Sequence, residues 1–308
     1  MEGTRKRIAV AGATGLIGSR VAAVLARRGD EVIGLVRDPK GDRAELPASV
    51  ALLHWDAGST DGEWADALDG LDAVINLAGA PIAQRWTTEA KAQIRHSRVD
   101  GTRNLVAAMA RAAKPPRALI QGSAVGYYGF SRLEEVDEEA PPGDDAIARL
   151  CVDWEAEARI AEASGIRVAI LRFGIVLSPD GGALKQMLPP FRLFVGGRLG
   201  DGRQPWPWIH IDDTVCLILH ALDRDDINGP LNGVVPAKTT NSEFTRTLGS
   251  VMRRPALIPV PRFIFRLLFG EGSPTFLNGQ NVIPRRTLES GFIFRWDELR
   301  AALGDLLE

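Results

Sequence analysis

Short apolar segments alternate with longer amphipathic segments through the first part of the chain. The short ones have the length and composition of strands buried in a parallel sheet. They are residues 8–11, 31–36, 50–53, 73–77, 117–121 and 167–171. The amphipathic ones predict helices over residues 16–28, 88–113 and 145–164. This alternation predicts an α/β protein with a doubly wound parallel sheet and right-handed crossovers.

The alternation ends after Leu177, where glycine and proline become frequent up to about residue 202. Residues 208–213 and the helix that follows indicate a return to the sheet, and prolines separate the helices beyond residue 241. We therefore expect a sheet domain of residues 1–177 plus 208–235 and a smaller mixed lobe of residues 178–207 plus 236–308. We expect this lobe to hold a substrate over the carboxyl edge of the sheet, where open α/β folds bind ligands.

Three glycines stand between the first strand and the first helix: Gly12, Gly15 and Gly18. In such a loop one glycine allows a tight turn, another lets the backbone approach a pyrophosphate, and a third lets helix and strand pack closely. The helix N-terminus adds a positive dipole. The spacing differs from the commonest Gly-x-Gly-x-x-Gly fingerprint, but the strand–loop–helix context still predicts a dinucleotide cofactor.

The second strand ends in Val36-Arg37-Asp38, which bears on the choice of cofactor. A carboxylate here usually holds the ribose 2′-hydroxyl of NAD, whereas an arginine suits a 2′-phosphate. Arg37 can give charge-assisted, bidentate hydrogen bonds to that phosphate. The alternative is that Arg37 is solvated and Asp38 binds the hydroxyl. The sequence favours NADP(H).

Taken together, these motifs resemble the short-chain dehydrogenase/reductase superfamily in its extended, epimerase-like form, which has a Rossmann domain. The resemblance is to an atypical subgroup, some members of which carry a cell-division-inhibitor label. It rests on strings spread over nearly the whole chain, namely Asn76-Leu77-Ala78-Gly79, Ser123-Ala124-Val125-Gly126-Tyr127-Tyr128-Gly129, Leu171-Arg172-Phe173-Gly174, Gly181-Gly182-Ala183-Leu184, Gly202-Arg203-Gln204 and Trp208-Ile209-His210-Ile211-Asp212-Asp213.

The resemblance implies a role for each part of the cofactor site. The backbone of Thr14, Gly15, Leu16 and Ile17 would hold the pyrophosphate, and Arg37 the 2′-phosphate. Asp56 would meet the adenine. Leu77, Ala78 and Gly79 would pass beneath the nicotinamide ribose, although a buried strand end would look equally apolar. Ser123 would face the nicotinamide.

The chain departs from the superfamily in its proton donor, which is normally a Tyr-x-x-x-Lys pair. The helix expected at 145–164 has Ile147 and Cys151 at these places. The two tyrosines of the chain, Tyr127 and Tyr128, lie together between glycines after the fifth strand. Either could be a general acid or an oxyanion donor, with Ser123 orienting a carbonyl. Alternatively, the rings pack under the loop and Ser123 ends the strand in a turn.

Four further residues are candidates for substrate binding: Trp86, Arg203, Trp206 and His210. The tryptophans could line an apolar cleft or form the core of the lobe. Arg203 could clamp an anion, and His210 could serve in acid–base chemistry or in the return to the sheet. We expect Arg95, Arg98 and Arg103 on a solvated or subunit-contact face. No metal site is expected, because the histidines and the two cysteines lack ligand spacing.

The overall composition limits the classes of partner that the protein is expected to bind. The net charge is −2, from 37 basic and 39 acidic residues, which argues against nucleic acid. We expect no membrane segment, since no apolar run approaches the roughly 20 residues of a spanning helix. A cytoplasmic location fits the few cysteines. A small-molecule substrate is expected, and the resemblance also implies a possible homodimer formed through two long helices.

Three functions follow from these observations. The first is an NADP(H)-dependent oxidoreductase acting on a small carbonyl or hydroxyl compound. The second is a non-catalytic NADP(H)-binding sensor or interaction protein, which the missing Tyr-x-x-x-Lys favours. The third is an epimerase, which would also need a strong tyrosine base. Whether the chain is an enzyme is left open by the sequence.

Overall fold

A computed structural model describes residues 5–40, 46–130 and 134–308, without the side chain of Phe276. Its main sheet has seven parallel strands in the order β10-β7-β5-β4-β1-β2-β3. In chain order the strands of the structure are β1 Arg7–Ala11, β2 Glu31–Val36, β3 Ala51–His54, β4 Ala73–Asn76, β5 Ala118–Ala124, β6 Glu135–Val136, β7 Arg167–Phe173, β8 Ile175–Leu177, β9 Trp208–His210, β10 Gly229–Gly233 and β11 Asn281–Val282.

Helices cover both faces of this sheet. They are α1 Leu16–Arg28, α2 Glu63–Asp66, α3 Thr88–Arg95, α4 Gly101–Arg111, α5 Ala146–Arg159, α6 Gly182–Arg192, α7 Ile211–Asp223, α8 Asn241–Met252, α9 Arg262–Phe269, α10 Pro274–Leu277, α11 Arg285–Glu289 and α12 Leu299–Leu307. One apolar core joins the sheet to α1 and α7, through Val21 and Leu217 among others. A second core, with Leu105 and Met109 of α4, lies on the opposite face. The doubly wound fold class is confirmed.

The strand order reverses between β1 and β4. Loops leaving these neighbouring strands turn to opposite faces, which opens a crevice at their carboxyl ends. The β1 and β4 loops are those that carry the glycine motif and Leu77-Ala78-Gly79. The fold therefore brings two separately expected cofactor segments to one edge.

The long helix expected over residues 88–113 is divided in the structure. A π-turn at His96–Asp100 joins α3 to α4, so the helical register changes between them. The helix expected at 145–164 is α5 followed by a tighter 3₁₀ turn at Ile160–Ser164. A uniform 3.6-residue pattern did not reveal either change, because both keep the chain helical.

Two short parallel ladders lie outside the main sheet: β6 with β11, and β8 with β9. Strands of two or three residues have no usable periodicity, so only the return near residue 208 was expected. The apolar core of the sheet continues into the C-terminal part through Leu184, Phe244 and Leu303. The division into a sheet domain and a substrate lobe stays a prediction.

Among the described residues, no helix is both long and apolar enough to cross a membrane.

Candidate active site

The glycine loop has the geometry of an anion cradle. Gly12 has a positive φ of 79°, and its N–H donates to Leu35 O at 3.1 Å. A Cβ on Gly18 would lie 2.1 Å from Gly12 O, so any side chain would push α1 away from the loop. Gly15 begins α1, and no side chain caps the helix. The free N–H groups of the first turn therefore fit the pyrophosphate of a dinucleotide.

The β4 loop packs directly against this cradle. A Cβ on Gly12 would come within 3.0 Å of Ala78 N, and Leu77 N donates to Ala11 O at 3.0 Å. The buried Asn76 fixes the turn, because its Oδ1 accepts from Ala78 N at 3.3 Å. We call the segment Leu77–Gly79 the shelf. It lies beside the glycine loop, and its expected place beneath the nicotinamide ribose stays a prediction.

The expected adenosine-binding residues lie on the other side of the strand-order reversal. Arg37, at the end of β2, is exposed, and its carbonyl oxygen accepts from His54 Nδ1 at 2.8 Å. Asp38 accepts from Lys40 N at 3.0 Å, and Asp56 accepts from Gly58 N at 2.8 Å. The Asp38 carboxylate thus holds its own loop, whereas the Arg37 guanidinium extends into solvent.

Ser123 belongs to a buried ion-pair cluster. Its hydroxyl donates to Glu155 Oε1 at 2.7 Å, and Arg172 makes a bidentate pair with Glu155 at 2.8 and 2.7 Å. Burial opposes the charged form of Arg172, but the hydrogen bonds and charge of Glu155 outweigh it and raise the pKa of Arg172. Ser123 would have to leave this hydrogen bond with Glu155 to donate its one proton to a substrate carbonyl. Its expected orienting role stays a prediction.

Tyr128 is fully buried in the same cluster. Its hydroxyl donates to Asn232 Oδ1 at 2.8 Å and accepts from Arg172 Nη1 at 2.9 Å. Burial raises the pKa of Tyr128 to about 12, although Arg172 acts in the opposite direction. The Tyr128 hydroxyl thus has both a donor and an acceptor hydrogen bond inside the core. This arrangement stabilises the fold and argues against Tyr128 as the catalytic tyrosine.

Tyr127 differs from its neighbour in exposure and contacts. Its ring is half-buried, and the Arg172 guanidinium stacks on it with Cζ 3.4 Å from the ring centroid. The two tyrosine rings meet edge to face at 83°. Within the described residues, the Tyr127 hydroxyl has no hydrogen-bond partner, so its proton is available to a ligand.

The positions of the missing Tyr-x-x-x-Lys pair do face this turn. A Cβ on Gly126 would lie 2.4 Å from Ile147 Cγ2 and 3.7 Å from Cys151 Sγ. Burial raises the pKa of the Cys151 thiol to about 12, and the Glu155 charge adds to this shift. Cys151 is therefore a neutral, inert thiol at neutral pH. Neither residue can supply acid–base chemistry.

Arg98 corrects an expectation from the sequence. It was expected on a solvated face with Arg95 and Arg103, which do form ion pairs with Asp153 and Glu157. Instead, Arg98 turns toward the shelf and donates from Nη1 to Ala80 O at 2.9 Å. Its guanidinium also lies 5.2 Å from the centroid of the Trp154 ring.

The four residues expected to bind a substrate each have contacts of their own in the structure, and their shared role stays a prediction. Trp86 packs on Gly272 and donates from Nε1 to Ile82 O at 3.1 Å. Arg203 is exposed on its loop, whereas Trp206 is buried against Phe244. Trp206 thus contributes to a core, one of the two alternatives that the sequence left open.

His210 caps a helix. Its Nδ1 accepts from Asp212 N at 3.0 Å at the start of α7, and Trp296 stacks on its ring. Among the described residues, His210, Asp212 and Asp305 form the one cluster with metal-like spacing. Because Nδ1 is an acceptor here, the neutral ring carries its proton on Nε2, the atom that faces Asp305 at 3.3 Å. A metal ion would need a lone pair on Nε2, where this tautomer carries its proton, so the cluster does not suit a metal.

A groove of about 910 Å³ lies beside the glycine loop, between α1 and α7. It includes Thr14, Gly15 and Leu16, and its far side is formed by the loop at Pro179 and Asp180. Arg20 of α1 pairs with Asp180 at 2.7 Å and holds that loop near the helix N-terminus. The groove does not include Ser123, Tyr127 or Arg37. The groove therefore flanks the pyrophosphate cradle and does not enclose the place expected for the nicotinamide.

Sequence reasoning did not assign roles to Glu155 and Arg172, although both carried a signal. Glu155 falls on the buried stripe of α5 formed by Ile147, Cys151, Trp154 and Ala158. Arg172 interrupts the apolar run of β7, a central strand buried along its length. A charge in each of two neighbouring buried elements indicates an ion pair, since an unpaired buried charge is costly.

The fold and the cradle define a dinucleotide-binding α/β protein. A family model described as the NAD dependent epimerase/dehydratase family matches residues 8–232, and one described as a domain of unknown function, DUF1731, matches residues 260–306. The chain belongs to the NAD dependent epimerase/dehydratase family, and the expected resemblance is confirmed.

Individual relatives resemble the chain over nearly its whole length. The mouse Epimerase family protein SDR39U1 is 42% identical over 98% of this chain and 99% of its own. The chloroplastic SDR39U1 homolog of Arabidopsis thaliana is 38% identical over 98% and 86%. A crystal structure of the human epimerase family protein SDR39U1 (isoform 2) with NADPH matches with a TM-score of 0.87 and 38% identity, covering 97% of this chain and 98% of that one.

Proposed function

We propose that the protein is an NADP(H)-dependent oxidoreductase that acts on a small carbonyl or hydroxyl compound, with Tyr127 as its proton donor. The observation that carries this proposal is the phenol of Tyr127 at the carboxyl end of β5, which has no hydrogen-bond partner among the described residues and is held by the stacked Arg172 guanidinium. β5 adjoins β4, whose loop forms the shelf. The phenol is thereby on the nicotinamide side of the strand-order reversal.

The choice of NADP(H) rests on two residues at the end of β2, one after β3, and a relative. Arg37 is exposed at the place of a 2′-phosphate ligand, and one oxygen of the Asp38 carboxylate accepts from Lys40 N. Asp56, exposed after β3, would meet the adenine. The human relative that matches over most of this chain was crystallised with NADPH, which supports the same cofactor here.

The chain's own residues would divide the work as follows. When bound, the cofactor supplies or accepts the hydride at the substrate carbon. The glycine cradle and the shelf orient it, and the Tyr127 hydroxyl donates its proton to the substrate oxygen as the carbon receives the hydride. Water then returns a proton to the phenolate. Glu155 and Arg172 hold the ring of Tyr127 without touching the substrate.

The decisive experiment compares the wild-type protein with Tyr127→Phe in NADPH oxidation, monitored by absorbance over a panel of small aldehydes and ketones. The phenylalanine ring preserves stacking on Arg172 and removes only the hydroxyl. We expect kcat to fall by roughly 100-fold or more, the usual contribution of a general acid. NADPH affinity and melting temperature should remain at wild-type values, which serves as the control for folding.

A turnover that Tyr127→Phe leaves intact would remove the proposed acid. A second candidate function has its own support, since Ile147 and Cys151 replace the usual pair. It is a non-catalytic NADP(H)-binding sensor or interaction protein. Tight NADPH binding without turnover of any carbonyl or alcohol in the panel would favour this second function.

A further inference from the structure

Arg98 is placed against the shelf by the π-turn between α3 and α4. A Cβ on Gly79 would lie 2.9 Å from Cζ and 2.9 Å from Nη2 of Arg98, so the guanidinium fills the space that a side chain would take. Ser97 of the same turn accepts from Ala80 N at 2.9 Å. The π-turn and the end of the shelf are therefore joined at two neighbouring residues.

The Arg98 guanidinium has no compensating charge among the residues that the structure describes. Both of its hydrogen bonds, to Ala80 O and Ile94 O, start from Nη1 and end on neutral carbonyls. Within the described ranges, no carboxylate forms an ion pair with it. Burial lowers the pKa of Arg98 to about 10, with Cys151 the neighbour that opposes the shift. The Nη2 and Nε hydrogens remain without an acceptor in the described part of the chain.

The position of Arg98 relative to the cofactor follows from the fold. Arg37 and Asp56 lie at the ends of β2 and β3, on the adenosine side of the strand-order reversal. The shelf follows β4 on the other side, so a dinucleotide whose pyrophosphate lies at Gly15 places its nicotinamide half over Gly79. The side chain that occupies the space beside Gly79 is that of Arg98. This step rests on the proposed cofactor.

We infer that Arg98 is a positioning residue that hydrogen-bonds the nicotinamide-side ribose hydroxyls, in place of the lysine that α5 lacks. The planar guanidinium can donate two parallel hydrogen bonds to neighbouring oxygens. Nη1 holds the guanidinium on Ala80 O. The hydrogens of Nη2 and Nε, on the opposite edge, would donate to the two ribose hydroxyls. Arg98 transfers no proton; it fixes the ring on which the hydride moves.

The test compares two probes that share the adenosine end of the cofactor: NADPH, and 2′,5′-ADP, which lacks the nicotinamide ribose. Dissociation constants are measured by titration calorimetry for the wild type, Arg98→Met and Arg37→Ala. We expect Arg98→Met to weaken NADPH roughly tenfold or more, the effect of losing hydrogen bonds from a charged donor, and to leave 2′,5′-ADP unchanged. Arg37→Ala, the matched control, should weaken both probes.

Arg98→Lys restores one charged donor and should recover part of the NADPH affinity, which a purely structural role would not require. If Arg98→Met folds poorly, Arg98→Gln keeps a polar side chain that is too short to reach the ribose, and the same NADPH-specific loss is expected of it. Equal losses for both probes, or no loss for either, would overturn the inference. Failure of wild-type protein to bind NADPH at all would instead remove the proposed function.

Discussion

At the scale of single residues, the exposure of the side chain distinguishes Tyr127 from Tyr128. It also distinguishes Arg37 from Arg98. The sequence could name Tyr127 and Tyr128 but could not rank them, since they are adjacent and flanked by the same glycines. The structure buries one phenol in hydrogen bonds and leaves the other free of them among the described residues. A role for Arg37 could be predicted from its place after β2, because a residue there bears on the choice between NAD and NADP.

Arg37 should therefore decide which dinucleotide the protein prefers. Arg37→Ala removes a charged donor from an exposed site, and we expect NADPH to bind roughly 10- to 100-fold more weakly. NADH has no 2′-phosphate, so its affinity should change little. Titration of both dinucleotides into both proteins checks this, and Arg27→Ala on the far turn of α1 is a charge-matched control. Equal losses for NADPH and NADH would contradict the assignment of Arg37 to the phosphate.

Arg98 could not be found by the same reasoning. In a uniform α-helix, Arg98 lies three residues after Arg95 and shares its face. The π-turn at His96–Asp100 places Arg95 and Arg98 on different faces. The pattern of apolar and polar side chains along the helix does not predict this turn. The position of Arg98 depends on the backbone of the turn and on the absence of a side chain at Gly79.

At the scale of elements, the long strands and most helices followed their apolar patterns, while the π-turn, the short ladders and the cap of α7 did not. The start of α7 is an example. Asparagine, aspartate, serine and threonine are the usual N-caps, whereas here His210 accepts from Asp212 N. A histidine cap works only while Nδ1 is unprotonated, so this helix end depends on pH.

Burial lowers the pKa of His210 relative to its ordinary value of 6.5, against the opposing charges of Asp212, Asp305 and Asp213. The unfolded chain therefore takes up the proton first as pH falls. Stability is fully present above about pH 6.5 and decreases below it, until the folded state is protonated as well. His210→Asn keeps a capping oxygen and removes the titration. Urea unfolding between pH 5 and 7.5 should show a shallower pH dependence for this variant than for wild type.

His210→Ala removes the titration, the cap and a buried ring stacked on Trp296, and should cost roughly 2–5 kcal/mol at pH 7.5. His210→Asn keeps the cap and should lose less at that pH. An asparagine variant with the full pH dependence of wild type would show that another group, such as the similarly shifted His220, is responsible.

At the scale of the whole molecule, the Glu155–Arg172 pair joins parts of the chain that are far apart in sequence. Glu155 comes from α5 and Arg172 from β7, and Tyr128 connects Arg172 to Asn232 of β10. Asn232 N in turn donates to Glu138 Oε1 at 2.9 Å. The same pair holds the Tyr127 ring, so the stability of the core and the position of the proposed acid depend on one cluster.

Removing one charge from this cluster should be severe. Glu155→Gln leaves the buried Arg172 guanidinium without its counter-charge, and we expect a loss of roughly 3–5 kcal/mol in the free energy of unfolding. The matched control is Glu162→Gln, which affects an exposed pair with Arg159 at 3.8 Å and should cost less than about 1 kcal/mol. Urea unfolding measures both, and similar small losses would contradict the importance of the buried pair.

The π-turn also affects how relatives of this chain should be aligned. In an α-helix each residue turns the chain by about 100°, so adding or removing one residue within His96–Asp100 rotates α3 against α4 by that angle. In a relative with one residue more or fewer in this segment, the guanidinium would point away from Gly79, even if arginine is aligned with Arg98. The length of the segment, more than the identity of its residues, would show which relatives keep a cation in this place.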